Sequence, residues 1–173
     1  PQTRREALTE VRAQLDTVSG SILNIRVGGN DLSHAFGLRR PANRTIYDLR
    51  PVADILIDIV AAFGTQYVVS GPVWEYYSGE GWEEGLRREM ELDLLNGFTG
   101  KTVIHPNQIP VVNEMLRVSQ RDYADARAIL NWDTGSGSLV SASEDGGRMN
   151  EYNTHSRWAR RIVLRAERYG VRA

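Results

Sequence analysis

The stretch VGGNDLSHAFG, residues 27–37, decides the fold that we predict for this chain. An apolar segment, residues 22–27, ends at a glycine pair, and Asp31 follows shortly after it. Glycines let a ligand approach the backbone, and a carboxylate at the carboxyl end of a strand is a common way for a parallel α/β barrel to hold a divalent metal and an anionic substrate. The pattern therefore predicts that Asp31 is a metal ligand at the mouth of a parallel strand. A plain turn is the alternative, because Gly, Asn and Asp are common turn formers.

Strand and helix patterns alternate through the first part of the chain. The spacing of apolar residues predicts helices over residues 3–18, 48–63, 82–96 and 110–132, and strands over residues 22–27, 67–70 and 101–104. Thr3 and Glu6 have the spacing of a capping box at the start of the first helix. This alternation favours an α/β fold with a parallel sheet and right-handed crossovers.

The character of the sequence changes after Trp132. Residues 133–147 are rich in Gly, Ser and Thr, with a hairpin strand predicted over residues 138–143, and a last helix is predicted over residues 153–169. We therefore divide the chain into a βα-rich part, residues 1–132, and an appended arm or lid, residues 133–173.

Composition excludes several classes of protein. The chain has 173 residues, of which 41% are hydrophobic, so it can bury a substantial core. Its formal net charge of −1 gives no field that would recruit nucleic acid or an anionic membrane, and no apolar run approaches the ~18 residues that span a bilayer. There is no cysteine, so a metal would take oxygen or imidazole ligands. The chain starts without an initiator Met or a signal-peptide pattern, so we expect an incomplete cytoplasmic protein.

Two further motifs follow predicted strands. The stretch GFTGKTVIHPNQ, residues 97–108, places His105 and Gln108 where the acyl or phosphate end of a substrate could bind. A purely structural histidine is the alternative. The stretch SGPVWEYY, residues 70–77, could wall a pocket or pack as a loop. Because parallel strands end on one face, we expect Asp31, Ser70 and His105 to lie at the same edge of the sheet.

Other polar residues are less specific. Arg39 and Arg40 could clamp a carboxylate or a phosphate, although a pair of arginines in a polar loop is often only solvated. His34 and His155 have no metal-ligand spacing to another histidine, so a zinc site is not predicted.

These motifs resemble the citrate lyase β-subunit-like group of the HpcH/HpaI aldolase superfamily. Residues 28–33 are similar to its G-x-x-D-L-[SA] strand end, and residues 97–108 are similar to its G-F-x-G-K-x-x-I-H-P-x-Q stretch. Within the group, residues 70–76 and 149–159 resemble the C–C bond lyase TIM-barrel branch.

The resemblance implies a (β/α)₈ TIM barrel, of which this chain would be about the last three βα units and a C-terminal arm. It also implies Mg²⁺ or Mn²⁺ held by Asp31 and by a Glu that would fall just before Pro1. The substrate carboxylate would be held at Gly28, Gly29 and Asn30, with Arg39 as a further substrate-binding candidate.

The resemblance also assigns a role to the arm. The family's arm carries a Met-Ile-Asp motif whose Asp reaches the active site of a neighbouring subunit as an acid or base. Met149, Asn150 and Glu151 align with this motif, which makes Glu151 the catalytic candidate and implies a homo-oligomer. Glu and Asn stand where the family has Asp and Ile, and a merely structural Glu before the last helix is the alternative.

The resemblance implies a Mg²⁺-dependent carbon–carbon bond lyase or aldolase that acts on a small 2-oxo acid or an acyl-CoA through a metal-stabilised enolate. The missing N-terminal half of the barrel would be an obligatory partner, so we expect the chain by itself to be inactive. The alternatives are a barrel of the same fold that binds a ligand or partner without turnover, and phosphoenolpyruvate-type chemistry at the same site.

Overall fold

Three short parallel strands organise the first part of the computed structural model, which describes residues 3–132, 140–143 and 146–172. They are β1 (Ile25–Arg26), β2 (Val69–Gly71) and β3 (Gly100–Lys101). In the order β1-β2-β3, Ile25 lies opposite Val69, and Ser70 lies opposite Gly100. The predicted α/β fold with a parallel sheet is confirmed, although each strand has only two or three residues.

Helices precede, connect and follow these strands. They are α1 (Arg4–Asp16), α2 (Gly29–Ala35), α3 (Arg50–Phe63), α4 (Trp82–Leu95) and α5 (Gln108–Met115). The predicted capping box of α1 is present, because the Glu6 N–H donates to Thr3 Oγ1 over 3.3 Å and the Thr3 N–H donates to Glu6 Oε2 over 2.7 Å. Together, residues Pro1–Met115 form one compact unit.

The core of this unit lies between α3 and the sheet. Val52, Leu56 and Phe63 of α3 are buried in one cluster with Val69 of β2 and Phe98, which precedes β3. Burial of each such side chain is worth about 1.5–3 kcal/mol. The packing therefore holds the strands, and the loops that follow them, against a rigid helix.

The second unit, Leu116–Ala173, is described by itself. Its elements are β4 (Val118–Ser119), α6 (Gln120–Leu130), β5 (Val140–Ala142), β6 (Met149–Glu151), α7 (Tyr152–Tyr169) and β7 (Val171–Arg172). Strand β4 pairs in parallel with β7, and β5 pairs antiparallel with β6. Small residues, such as Ala126 of α6 and Ala159 of α7, let the two helices pack closely around Ile129.

The predicted helix over residues 110–132 is wrong. Helix α5 ends at Met115, and β4 separates it from α6. The break occurs because Val118 pairs with Val171, and because Ser119 caps the next helix by accepting the Asp122 N–H over 3.1 Å. The boundary between the units, after Met115, therefore falls earlier than the predicted one after residue 132.

The structure agrees in part with the strand and helix predicted for the arm. Strand β5 falls within the strand predicted over residues 138–143, and α7 begins one residue before its predicted start. Residues 133–139 and 144–145 lie outside the described part of the chain. None of the helices in the described ranges is both long and apolar enough to cross a bilayer.

Candidate active site

Asp31 lies in the first turn of α2, directly after β1. Only residues 27–28 separate β1 from this short helix. The Asp31 carboxylate folds back over Gly28, where a Cβ atom would lie only 2.5 Å from Asp31 Oδ2. A carboxylate at this position is favoured by the helix dipole. The strand end therefore presents an exposed carboxylate whose direction is set by a glycine.

The neighbouring Gly29 packs tightly. A Cβ atom at Gly29 would overlap Pro72 and would lie 2.7 Å from Ile46 Cδ1. The Gly29 N–H donates to the Val27 carbonyl over 3.0 Å, so this amide is engaged by the backbone, and its contact with a substrate carboxylate stays a prediction. The Asn30 N–H lies in the first turn of α2, where backbone N–H groups have no partner within the helix.

The loops after β2 and β3 meet at the same edge of the sheet as Asp31, because the three strands are parallel. The rings of Tyr77 and His105 stack there, with centroids 4.1 Å apart and planes at 11°. The Asn107 N–H donates to His105 Nδ1 over 3.2 Å, and the Asn107 side chain donates to the Tyr77 carbonyl over 3.2 Å. The parallel strands place Asp31 and His105 beyond the carboxyl ends of β1 and β3, whereas Ser70 lies within β2, and the His105 ring is held in a defined orientation.

Gln108 is fully buried at the start of α5. Its Nε2 donates to the carbonyls of Trp74 and Tyr76, each over 2.8 Å, and its Oε1 accepts the Ile104 N–H over 2.9 Å. These bonds fasten the loops after β2 and β3 to each other. The Gln108 amide is therefore engaged by the backbone of the protein, and its predicted contact with a substrate stays a prediction.

Arg39 and Arg40 have opposite environments. The Arg39 side chain is 78% exposed, and its Nε lies 3.3 Å from a carboxylate oxygen of Glu75. Both residues line an open cleft of about 320 Å³, together with Asn30 and His34. Arg40 is buried, so the two arginines do not form a clamp on one ligand.

A buried network of charges lies behind these loops. Glu89 and Asp93 of α4 share the Lys101 ammonium, which donates 2.7 Å to each, and Glu89 also pairs with Arg40. The hydroxyl of Tyr47 donates to Asp93 over 2.7 Å.

Burial shifts the titration of this network. Desolvation raises the pKa of Asp93, and desolvation together with the neighbouring Asp93 charge raises the pKa of Tyr47. The network is not predicted from the sequence. The one sequence signal for this network is the spacing of Glu89 and Asp93, which lie one turn apart on α4. They share the buried stripe of this helix with Leu86 and Met90.

Glu151 belongs to the second unit, where it ends β6 and precedes α7. Its N–H donates to His155 Nδ1 over 3.0 Å. The preceding Asn150 is buried and donates to Asp125 Oδ1 over 3.2 Å, and Arg148 pairs with the same carboxylate. A polar residue is therefore accommodated at position 150 because Asp125 accepts its hydrogen bond.

The side chains of this chain supply only part of a ligand set for a hard cation. Within residues 3–132, 140–143 and 146–172, no three His, Asp or Glu side chains group as a metal site. The exposed Asp31 carboxylate is nevertheless the kind of oxygen ligand that Mg²⁺ and Mn²⁺ take. Asp31 thus fits as one member of a ligand set.

Comparison with known proteins agrees with these features. Residues 1–171 match the family model described as C–C bond lyase of the TIM-barrel fold. An L-malyl-CoA/beta-methylmalyl-CoA lyase of Cereibacter sphaeroides is 38% identical over 74 residues, which are 42% of this chain and 22% of that protein. The same enzyme from another strain is 36% identical over 74 residues.

A solved structure is also similar. The crystal structure of the protein CitE from Mycobacterium tuberculosis, in complex with magnesium, acetoacetate and coenzyme A, superposes with a TM-score of 0.61 at 26% identity. The match covers 84% of this chain and 52% of that one, so the chain spans about half the length of this relative. The resemblance drawn from the strand-end motifs is confirmed: the chain belongs to the C–C bond lyases of the TIM-barrel fold.

Proposed function

We propose that the full-length protein is a Mg²⁺-dependent lyase that cleaves a carbon–carbon bond in a 2-oxo acid or an acyl-CoA. The observation that carries this proposal is the exposed Asp31 carboxylate, which is cradled over Gly28 at the carboxyl edge of the parallel sheet. The relatives support it, because one is named a malyl-CoA lyase and another was solved with magnesium, acetoacetate and coenzyme A.

In this proposal, Asp31 supplies one ligand of the metal, with Mn²⁺ as the alternative to Mg²⁺. The remaining ligands would come from the substrate, from water and from the Glu that the family resemblance implies upstream of this chain. A divalent metal at this position would stabilise the negative charge that develops on a carbonyl oxygen as the carbon–carbon bond breaks. This chain would then supply the last three βα units of the barrel.

Three residues of this chain would contact the substrate. The Asn30 N–H is placed to donate to a carboxylate. His105 accepts a hydrogen bond at Nδ1, so its neutral form carries its proton on Nε2 and can donate it to a substrate oxygen. Arg39, on the rim of the cleft, would attract the anionic end of an acyl-CoA. Glu151 would act as acid or base on the substrate of a neighbouring subunit in a homo-oligomer.

The test is a comparison of two aspartate variants of the full-length protein. We expect Asp31→Asn to lower the affinity for Mg²⁺, measured by calorimetric titration, and the rate of carbon–carbon bond cleavage by at least tenfold each. The matched control is Asp54→Asn, which removes an exposed carboxylate from α3 and should change neither. Unchanged Mg²⁺ affinity in Asp31→Asn would make Asp31 a turn residue only. Substrate binding without cleavage in the wild type would favour a non-catalytic barrel.

A further inference from the structure

The buried Arg40 joins two of the loops at the carboxyl edge of the sheet. Its side chain is only 1% exposed. Nη2 donates to the Val73 carbonyl over 2.7 Å, and Nη1 donates to Asn30 Oδ1 over 3.4 Å. The guanidinium also lies 5.1 Å from the centre of the Trp74 ring. One side chain therefore connects the turn that follows β1 with the loop that follows β2.

Glu89 extends this connection to a third segment. Its Oε2 lies 2.8 Å from Arg40 Nε and accepts the Ile46 N–H over 2.7 Å. Its Oε1 accepts from Arg40 Nη2 over 3.0 Å and from Lys101 over 2.7 Å. Glu89 thus fixes both Arg40 and the 3₁₀ turn that begins at Ile46.

The turn that carries Asp31 packs on the residues that Arg40 and Glu89 hold. Gly29 touches Pro72 and Ile46 so closely that a Cβ atom at Gly29 could not be accommodated. Pro72 directly precedes Val73, whose carbonyl accepts from Arg40, and the Ile46 N–H donates to Glu89. The position of Gly29, and of Asp31 two residues later, therefore depends on where these two charged residues hold its neighbours.

Stability alone does not account for a buried ion pair. The cost of removing both charges from water offsets much of their attraction, and an apolar pair of similar volume is often as stable or more so. The hydrogen bonds made by Arg40 Nη1 and Nη2 and accepted by both Glu89 oxygens instead favour one arrangement of the groups around them, although Arg40 Nε itself makes no hydrogen bond.

We propose that Arg40 and Glu89 are positioning residues, which hold the Asp31 turn in the orientation that binds the metal. The proposal rests on the proposed role of Asp31. It assigns a function to two residues that touch neither metal nor substrate.

The test compares two charge-balanced variants of the full-length protein. Arg40→Met with Glu89→Gln removes one positive and one negative charge from the network, together with the bonds to Asn30 and Val73. The matched control, Lys101→Met with Asp93→Asn, also removes one charge of each sign but leaves those bonds and the Arg40–Glu89 pair in place.

The first measurement is hydrogen exchange of the backbone amides in the absence of metal. We expect amides of residues 27–37 to exchange at least tenfold faster in the Arg40/Glu89 variant, and less than threefold faster in the control. Arg40→Lys is a second variant that keeps the charge but not the forked donor geometry, and it should shift the same segment in the same direction. Wild-type exchange rates in this segment, or an equal rise in the control, would overturn the proposal.

The second measurement is the Mg²⁺ affinity of the same variants. We expect affinity to fall at least tenfold in the Arg40/Glu89 variant and to stay within threefold of the wild type in the control. Equal affinities in all three proteins would also overturn the proposal. A wild type that binds no Mg²⁺ would overturn the proposed function, while the exchange rates would still decide whether Arg40 and Glu89 position the turn.

Discussion

The carboxylate of Asp31 lies directly over Gly28. A Cβ atom at Gly28 would stand 2.5 Å from Asp31 Oδ2 and 3.4 Å from Asp31 Cγ, and the shorter distance is closer than carbon and oxygen atoms can approach. Gly28 has a φ of −78°, which any residue can adopt. Glycine is therefore required at position 28 because a Cβ atom would collide with Asp31, and not because the backbone needs a conformation that favours glycine.

We expect Gly28→Ala to fold and to weaken Mg²⁺ binding by the full-length protein at least tenfold, because the methyl group displaces the carboxylate of the proposed ligand. Calorimetric titration measures this effect. The control is Gly20→Ala, where no heavy atom lies within 4 Å of the added Cβ. Equal affinities in the two variants would show that the direction of Asp31 does not matter for the metal.

Removing the Glu89 charge alone should destabilise the protein strongly. In Glu89→Gln, the buried cations Arg40 and Lys101 keep one buried carboxylate, that of Asp93, which pairs with Lys101. The buried charge left without a partner typically costs about 3–5 kcal/mol. Urea unfolding of the full-length protein measures the loss. Glu91→Gln, an exposed position on the same helix, should stay within about 0.5 kcal/mol of the wild type. A loss below about 1 kcal/mol in Glu89→Gln would contradict the burial argument.

The stability contributed by Arg148 should depend on pH. Burial alone would raise the pKa of Asp122, but hydrogen bonds from Arg148 and Ser119 outweigh it and hold the pKa below its ordinary value. The stabilisation from a lowered acid pKa is therefore present above about pH 4 and is lost as the pH falls further. We expect the difference in unfolding free energy between the wild type and Arg148→Met to shrink between roughly pH 5 and pH 3, the range that brackets the ordinary pKa of Asp.

Urea unfolding at several pH values checks this expectation. Arg127→Met removes an exposed arginine from α6 and should show a difference that does not change over the same range. A difference for Arg148→Met that is equally independent of pH would mean that the ion pair with Asp122 contributes nothing to stability.

The neutral imidazole of His105 should be the Nε2–H tautomer, because Nδ1 accepts the Asn107 N–H. Nitrogen-15 chemical shifts of the two ring nitrogens measure this directly. An Nδ1–H tautomer would contradict the described hydrogen bond and would remove the proposed donor to a substrate oxygen. Asn107→Pro removes the N–H and should free the ring to exchange between the two tautomers.

Local signals explain what could be predicted. The capping box of Thr3 and Glu6, the apolar stripe of α3 and the glycines before Asp31 all act over a few residues, so they are visible in a linear sequence. The alternation of strands and helices indicated a parallel sheet, and a parallel sheet brings the turns after its strands to one edge. The motifs around Asp31 and His105 were also sufficient to place the chain in its family.

The sequence by itself therefore determined the α/β class and the family, and it named Asp31 as the leading site candidate, which stays a prediction. Only the tertiary structure decided that Gln108 is held by backbone groups, that Arg40 is buried while Arg39 is exposed, and that residues 110–132 divide around β4. These outcomes depend on partners that are remote in sequence, such as Glu89 for Arg40 and Val171 for Val118. A charged residue is stable in a core only where such a partner lies next to it. A local sequence pattern does not show which remote residue will be that partner.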